Sequence, residues 1–340
     1  MASKDNVLFR MKPVGRYSAS TPTRAPPEPV KAARKTSIIQ YAEPLQKDMA
    51  VLFVYFNPCN YSRIKQNALT VKHQMDSARI PYFIAEMKHD SDPSSHYLFQ
   101  ACDTVCQYSS DSYMFYKENL IAATVPMIPA QYTKLCILDF DILFDCPDWY
   151  SVVSSKLDSV QVTQPFTEAH FLDLDFTVWK TKTNCVDNRV DEGVHYSEEH
   201  TGFVWAFRMD WFRAYSFDDR MVSTMGDNIM ACNITKRDRN AGYMQSYFAF
   251  SGEALWAGKV DYGSCPLSVY HMSHGLMHNR QYVSIRTTLN QAIETFKVPN
   301  SAALFERRGD RILEWAPAYK SEMNRIFMNY FRTRDDDATQ

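Results

Sequence analysis

The segment KLCILDFDILF, residues 134–144, limits most strongly what this chain can fold into. Its apolar run LCIL, residues 135–138, is typical of a buried strand. Asp139 and Asp141 follow directly, and at strand spacing their side chains point to the same face. Two neighbouring carboxylates repel each other and are costly to bury unpaired. The segment therefore predicts either a solvated strand end or a site for Mn²⁺ or Mg²⁺, which bind carboxylates together with nucleotide phosphates.

Apolar strands alternate with helical segments on the N-terminal side of this segment. Residues 51–56 and 80–87 are continuous apolar runs typical of buried parallel strands, and residues 61–79 between them have helical spacing. This order predicts an α/β fold with a mostly parallel sheet flanked by helices. Ligands of such sheets bind at the carboxyl ends of the strands, and the aspartate pair lies at such an end.

Composition divides the 340 residues into three parts. Residues 1–45 contain many Lys, Arg and Pro residues against few acids, which predicts a mobile basic arm or linker. Residues 46–300 are expected to form the α/β domain, and residues 301–340 a C-terminal helical extension and tail. The formal net charge of −2 gives no argument for nucleic-acid binding, so no nucleic-acid partner is expected.

Several features favour a cytoplasmic protein. The N-terminus lacks the apolar core of a signal peptide, and no run is long enough to span a bilayer, so no transmembrane anchor is expected. The eight cysteines are scattered without zinc-type pair spacing, which favours reduced thiols. The sequence makes no prediction of the oligomeric state.

Polar residues near the first two strands are candidates for nucleotide contacts. Asn57 and Arg63 follow the first strand, and Glu86 ends the second, where a carboxylate could meet a ribose or a base edge. A helix-start Asn, a surface Arg and a solvated strand-end Glu are equally good explanations. No Gly-rich loop of the dinucleotide-binding or P-loop type is present.

The segment HMSHG, residues 271–275, adds candidate metal ligands. A neutral imidazole of His271 or His274 could complete a site with the aspartates. Gly275 would let the backbone approach a ligand, and Arg280 could bind a diphosphate.

Two glycines mark a further candidate region. Gly202, in an otherwise bulky strand, indicates the close approach of a ligand. Gly226 permits a tight turn before Asp227, which is a candidate base or, equally, a helix N-cap.

Taken in order, these motifs resemble those of GT-A-fold glycosyltransferases that use nucleotide sugars, in particular bacterial and viral members. The resemblance spans roughly residues 51–335 and rests on Asn-Pro, Asp-x-Asp, TGFVWAFR, MGDN, HMSHG with HNRQY, and NYFRTRDDD. It implies a GT-A (Rossmann-like) fold, a UDP- or GDP-sugar donor, and a glycan, protein or other hydroxyl acceptor. It also implies that the protein is located in the cytosol of a bacterium or of a viral host.

The resemblance also implies residue roles. Asp139 would contact ribose and metal, Asp141 would bind Mn²⁺ or Mg²⁺, and His274 or His271 would be the remaining ligand. An inverting enzyme needs a base near the acceptor, and Asp227 is the first candidate, whereas a retaining enzyme needs none.

Two alternatives stay open. LDFDIL and MGDN also resemble motifs of haloacid-dehalogenase-type phosphatases, although Met230 and Ala231 stand where that family usually has another acid. The other alternative is a non-catalytic nucleotide-sugar-binding module.

Overall fold

The computed structural model describes residues 38–187, 198–215, 218–222, 224, 226–236, 260–298 and 301–339. These residues all belong to the larger of two compact units, Arg34–Gln340. Most of the predicted basic arm therefore lies outside the described residues.

A seven-stranded sheet forms the centre of this unit. One strand of this sheet, Val204–Arg208, is antiparallel to both of its neighbours. All other neighbouring strands are parallel. The predicted α/β class with a mostly parallel sheet is thus confirmed. In spatial order the strands are β11 (Tyr262–Ser264), β6 (Val162–Gln164), the antiparallel β10 (Val204–Arg208), β4 (Lys134–Leu138), β1 (Met49–Phe56), β2 (Tyr82–His89) and β3 (Val105–Ser110).

Both faces of the sheet are covered, because alternate residues of β1 pack into two different hydrophobic clusters. Ala50 and Leu52 belong to one cluster, and Val51 and Phe53 belong to the other. Helices contribute to both clusters, as expected for strands that are apolar on both sides. The helices are α1 (Ser62–Ser77), α2 (Lys117–Thr124), α3 (Trp149–Lys156), α4 (Met209–Tyr215), α5 (Gly226–Thr235), α6 (Tyr282–Thr295) and α7 (Pro317–Arg334), with short 3-10 helices at Val125–Met127, Met277–Arg280 and Ser301–Leu304.

A second, five-stranded sheet begins where the aspartate segment leaves β4. Its strands, in spatial order, are β5 (Ile142–Phe144), β12 (Ser268–His271), β7 (Glu168–Leu172), β8 (Val178–Asn184) and β9 (Glu199–His200). Residues 139–141 therefore connect the two sheets. This second sheet was not predicted, because its strands are short and pair over long sequence distances.

The C-terminal extension is helical only in part. α7 buries Met323 and Phe327 in the hydrophobic cluster that contains Ala50 and Leu52 of β1, which confirms a helical extension. Leu313 and Trp315, by contrast, lie in β14 (Leu313–Trp315), which pairs with β13 (Phe305–Arg307). Within the described ranges, none of the helices combines the length and the apolar character needed to cross a membrane.

Ordered packing begins several residues before position 46, the predicted start of the domain. Tyr41 is buried, its hydroxyl oxygen accepts the Phe144 N–H at 2.8 Å, and its ring meets Trp149 edge to face. These contacts make residues 41–45 part of the domain.

We predict that two N-terminal deletions will differ in stability. Removing residues 1–37 should change the free energy of unfolding little, since their composition predicts no share in the core. Removing residues 1–45 also removes Tyr41 and should cost about 3 kcal/mol or more, the usual effect of losing a buried aromatic side chain. Urea unfolding of the two shortened chains measures the difference, and equal stabilities would contradict the role given to Tyr41.

Candidate active site

A cavity of about 300 Å³ opens at the carboxyl ends of β1 and β4. Its size suits a small-molecule site, and its position is the one expected for ligands of α/β sheets. Most of the residues that the sequence pointed to meet here. The cavity is lined, among others, by Asn57, Asp139, Asp141, Asp227, His271, His274 and Arg280.

The aspartate segment faces this cavity because its central residue anchors it in the core. Phe140 is buried and stacks on Phe53 with ring centroids 4.3 Å apart. Asp139 and Asp141, on either side of Phe140, both line the cavity. The bulky central residue of the motif therefore serves packing and leaves both carboxylates toward the site.

Strand register brings His271 beside Asp141 across 130 positions of sequence. β12 runs antiparallel to β5, so that His271 pairs with Ile142, and the Met272 N–H donates to the Asp141 carbonyl at 2.8 Å. The turn that follows β12 then carries His274 back to the same carboxylate. The sequence analysis expected these residues to share a site, and the pairing of distant strands is the physical cause that brings His271 to Asp141.

Asp141, His271 and His274 form a donor set that fits a divalent metal ion. One ligand atom from each residue lies within 4.8 Å of the others. The Nε2 atoms of His271 and His274 lie 3.6 Å and 2.7 Å from Asp141 Oδ2. Asp141 Oδ1 is buried and accepts no hydrogen bond from the described residues, which is costly unless a cation balances it. One carboxylate and two imidazoles are suitable ligands for a transition metal.

The charge states of this cluster also suit a metal. Burial alone would raise the pKa of Asp141, but His271 and His274 outweigh it and hold the pKa well below its usual range. Burial lowers the pKa of His271, against the opposing effect of Asp141. A carboxylate and a neutral imidazole are the forms that bind metal ions.

Asp139 lies in the cavity but pairs with a lysine rather than with the histidines. Lys117, at the start of α2, places Nζ 2.8 Å from Asp139 Oδ1 and 3.1 Å from Asp227 Oδ2. Burial raises the pKa of Asp139 to about 6, Lys117 opposes this, and the neighbouring carboxylates of Asp227 and Asp141 add to it. Lys117 thus links Asp227, the predicted base, to Asp139, the predicted donor-binding carboxylate.

This lysine weakens the phosphatase alternative. That reading places a metal ion with Asp139 and Asp227, but Lys117 Nζ sits between their carboxylates. Met230 and Ala231, which replace the additional acid, are buried in α5. The cation in this position is therefore an amino group of the chain itself.

Asp227 is the second residue of α5, within its first turn, and not its N-cap. Gly226, which precedes Asp227, is required for a reason that the sequence did not indicate. A Cβ at Gly226 would lie 1.8 Å from Glu118 Oε1, so the close packing of Glu118, rather than a tight turn, requires glycine. Likewise, a Cβ at Gly202 would lie 2.9 Å from Asp227 Oδ2, so a side chain of the site approaches this backbone closely.

Glu118 is a buried acid that the sequence analysis missed. It is 2% exposed, and burial, with the nearby Asp227, raises its pKa to about 8. The carboxyl group is therefore protonated in the folded chain over a wide pH range.

We predict that Glu118→Gln changes the pH dependence of stability. The folded pKa lies above the ordinary value of 4.5, so the folded chain retains a proton that the unfolded chain releases. Stability should therefore fall between pH 4.5 and about 8, by about 1.4 kcal/mol per pH unit from this group. Glutamine mimics the protonated form. The variant should therefore have a higher free energy of unfolding than the unaltered chain at pH 8 but not at pH 5.

Urea unfolding at pH 5 and pH 8 measures this gain, with Glu294→Gln, at an exposed position of α6, as the control. An identical pH dependence for Glu118→Gln and the unaltered chain would show that Glu118 is ionised in the folded state.

The structure does not bring Arg63 or Glu86 to the cavity. β2 continues to His89, so Glu86 lies inside the strand and not at its end. Its carboxylate is fully buried and accepts the N–H groups of Leu98 and Phe99. Arg63 stands in the first turn of α1, and its side chain is not part of the lining. The geometry therefore assigns Glu86 to holding a loop.

Asn57 and Arg280 line the cavity while holding parts of its wall. The Asn57 side chain accepts the Tyr61 N–H at 2.9 Å and donates to the Tyr61 carbonyl at 2.9 Å. Arg280 is buried and donates from Nη2 to the His274 carbonyl at 3.0 Å. Both residues order the loops that carry other site residues.

Further lining residues escaped the sequence analysis. Lys117 and Glu118 form a charged pair at the start of an otherwise uncharged helix, which is a signal that could have identified them. Asp336 belongs to the closing DDD run, and only the fold brings it to His274. The additional lining residues with charged or imidazole side chains are Lys117, Glu118, His200, Arg286, Arg334 and Asp336.

Comparisons with known proteins give structural likeness only. No family model matches this chain, and no curated protein matches it either. A mutant of Drosophila β1,4-galactosyltransferase 7, in complex with manganese, UDP-Gal and xylobiose, is 10% identical with a TM-score of 0.34, over 55% of this chain and 61% of that one. The catalytic domain of the same enzyme with xylobiose is 13% identical with a TM-score of 0.31, over 55% of this chain and 60% of that one.

The bifunctional glycosyltransferase WbbM, in its apo form, is also similar. It is 13% identical with a TM-score of 0.25, over 57% of this chain and 35% of that one. The match spans less than two thirds of each of these proteins. Glycosyltransferases are thus among the structures similar to this chain, but identities and TM-scores this low assign it no activity.

Proposed function

We propose that this chain is a metal-dependent glycosyltransferase that moves a sugar from a nucleoside-diphosphate donor, a UDP- or GDP-sugar, to a hydroxyl acceptor. The observation that carries the proposal is the cluster of Asp141, His271 and His274 at the carboxyl end of β4. It is supported by the adjoining cavity, which adds further carboxylates and guanidinium groups.

Asp141, His271 and His274 would hold the metal ion. When bound, Mn²⁺ or Mg²⁺ acts as a Lewis acid that neutralises the charge developing on a departing nucleoside diphosphate. Because two of the three ligands are imidazoles, we expect Mn²⁺ to bind more tightly than Mg²⁺, which prefers oxygen ligands and retains its waters.

The residues around the cluster suit the remaining parts of the reaction. Arg280 and Arg334 line the cavity beside His274 and add positive charge where a diphosphate would bind. Asp139, with its carboxylate 31% exposed, is placed to meet the ribose of the donor or the metal. Hydrogen bonds and ion pairs hold these groups in place, which favours stabilisation of developing charge.

Asp227 is our candidate for the acceptor side. Its carboxylate is 25% exposed in the cavity and contacts Lys117, with Asp139 on the other side of that amino group. A carboxylate within reach of an acceptor hydroxyl can take its proton as the sugar is transferred. In an inverting enzyme Asp227 would be that base.

A donor screen tests the proposal against the non-catalytic alternative. Nucleotide sugars are titrated into the chain with Mn²⁺ by calorimetry, and release of nucleoside diphosphate is then measured in the presence of candidate acceptors. The proposal predicts Mn²⁺-dependent binding of one donor class followed by release. Tight binding without release on any acceptor would favour a binding module, and release of inorganic phosphate from simple phosphate esters would favour a phosphatase.

A further inference from the structure

Three consecutive aspartates, residues 335–337, follow α7, and we call them the aspartate tail. The proposed reaction leaves them without a role. α7 ends at Arg334, and the left-handed backbone of its C-cap Asp335 (φ 43°, ψ 62°) redirects the chain. Asp336 is 2% exposed and lines the cavity, an unusual position for a carboxylate beyond the last helix.

Asp336 contacts the side of His274 that faces away from Asp141. Its Oδ1 lies 3.1 Å from His274 Nδ1 and accepts a hydrogen bond from Arg334 Nη2 at 3.2 Å. His274 Nε2, the other ring nitrogen, lies 2.7 Å from Asp141 Oδ2. The imidazole therefore stands between two carboxylates, one at the proposed metal position and one behind it.

These contacts define how the ring can serve as a ligand. An ionised carboxylate only accepts hydrogen bonds, so Asp336 favours the proton on Nδ1 and a lone pair on Nε2. Arg280 Nη2 lies near both ring nitrogens, 3.1 Å from Nδ1 and 2.8 Å from Nε2, so the preference rests on Asp336. Without a metal ion, Nε2 can share a proton with Asp141 Oδ2 at 2.7 Å, and a metal ion bound to both atoms would take the place of that proton.

The tail is held closely on both sides of Asp336. A Cβ at Gly275, which has φ +62°, would lie 2.8 Å from the Asp335 carbonyl oxygen and from the Asp336 Cα, so only glycine permits this approach. Asp337 accepts the N–H groups of Ser62 and Arg63 at 2.8 Å each. It thereby pairs two backbone N–H groups that have no partner within α1. Gly275 was expected to admit a ligand, but it admits the tail.

We infer that Asp336 is a positioning residue of the metal site, which orients His274 and holds its Nε2 lone pair toward the metal, while Asp337 fixes the tail on α1. The inference rests on the proposed function only in taking Asp141, His271 and His274 as the metal ligands. It makes the segment that follows α7 a functional part of the site.

Calorimetric titration of Mn²⁺ into the intact chain tests this inference. Asp336→Asn should weaken Mn²⁺ binding by about 10- to 100-fold, the usual effect of removing the carboxylate behind a metal-bound histidine. Asp335→Asn is the matched control, since it makes the same change one residue earlier, at an exposed position whose left-handed backbone Asn tolerates. The control should bind Mn²⁺ as the unaltered chain does.

The outcomes separate the two claims. Equal Mn²⁺ affinity of Asp336→Asn and the unaltered chain would refute the role of Asp336 and leave the metal site standing. Failure of the unaltered chain to bind Mn²⁺ would refute the metal site of the proposed function. Equal weakening by Asp336→Asn and Asp335→Asn would show that the tail acts only through its general charge, which also refutes the inference.

A second measurement uses the unaltered chain and so does not depend on how the Asn variant folds. Nitrogen-15 NMR of histidine side chains, with Zn²⁺ as a diamagnetic probe, reports which ring nitrogen carries the proton. The His274 signal is identified by its loss in His274→Gln. We expect the proton on Nδ1, and a proton on Nε2 would overturn the inference.

Discussion

Asp141→Ala should abolish metal-dependent release of nucleoside diphosphate while the chain stays folded. The variant loses the carboxylate that both histidines face, at 3.6 Å and 2.7 Å. The remaining imidazoles bring no negative charge to the metal, and the diphosphate then departs with its charge unbalanced. Since a metal ion supplies several kcal/mol to such a step, the rate should fall by about 10³-fold or more.

The measurement is the initial rate of release with Mn²⁺, beside a calorimetric Mn²⁺ titration and a thermal unfolding curve. Asp148→Ala is the matched control, because Asp148 is an exposed acid a few residues along the same segment. The control should retain both Mn²⁺ binding and release. Full activity of Asp141→Ala, or of the unaltered chain in EDTA, would disprove the metal requirement.

Asp227→Asn should lower sugar transfer by about 10²- to 10⁴-fold, the range expected for losing a general base. The amide is similar in size to the carboxylate and can still contact Lys117, but it cannot take a proton from an acceptor hydroxyl. Nucleotide affinity should hardly change, because Asp141, His271 and His274 are untouched. The rate of transfer and the donor affinity, measured for this one variant, therefore separate a role in transfer from a role in donor binding.

Asp210→Asn is the control for the position of Asp227 within a helix. Asp210 stands in the first turn of α4 as Asp227 does in α5, but it is exposed and pairs with Arg208 away from the cavity lining. Both variants remove a charge from a helix start, which changes stability by only about 0.3–1 kcal/mol. Normal transfer by Asp227→Asn would remove it from the mechanism, and lost donor binding would move it to the donor side.

The strand and the carboxylates of the central segment could be predicted because they depend on local sequence. An apolar run followed by Asp139 and Asp141 indicates both the strand and the polar edge without reference to any other part of the chain. The same local reasoning was less accurate at Glu86, since the exact end of a strand is poorly encoded. β2 continues to His89, two residues beyond its predicted end, so Glu86 lies inside the strand and beside the amides of a loop.

Contacts between distant segments could not be predicted in this way. His271 meets Asp141 through the register of β12 on β5, and Lys117 meets Asp139 and Asp227 only because α2 packs beside the cavity. The glycines show the same limit. Gly226 and Gly275 were assigned to a turn and to a ligand, whereas the structure explains them by the close packing of Glu118 and of the aspartate tail.

The most direct test of the account is to locate Mn²⁺ in the folded chain. Crystals grown with Mn²⁺ and a nucleoside diphosphate, measured at the manganese absorption edge, report the position of the ion without reference to activity. The account predicts an anomalous peak bound by Asp141 and by the Nε2 atoms of His271 and His274, with the diphosphate on its open side. A peak bound elsewhere, or a diphosphate bound in the cavity without Mn²⁺ at these three residues, would contradict it.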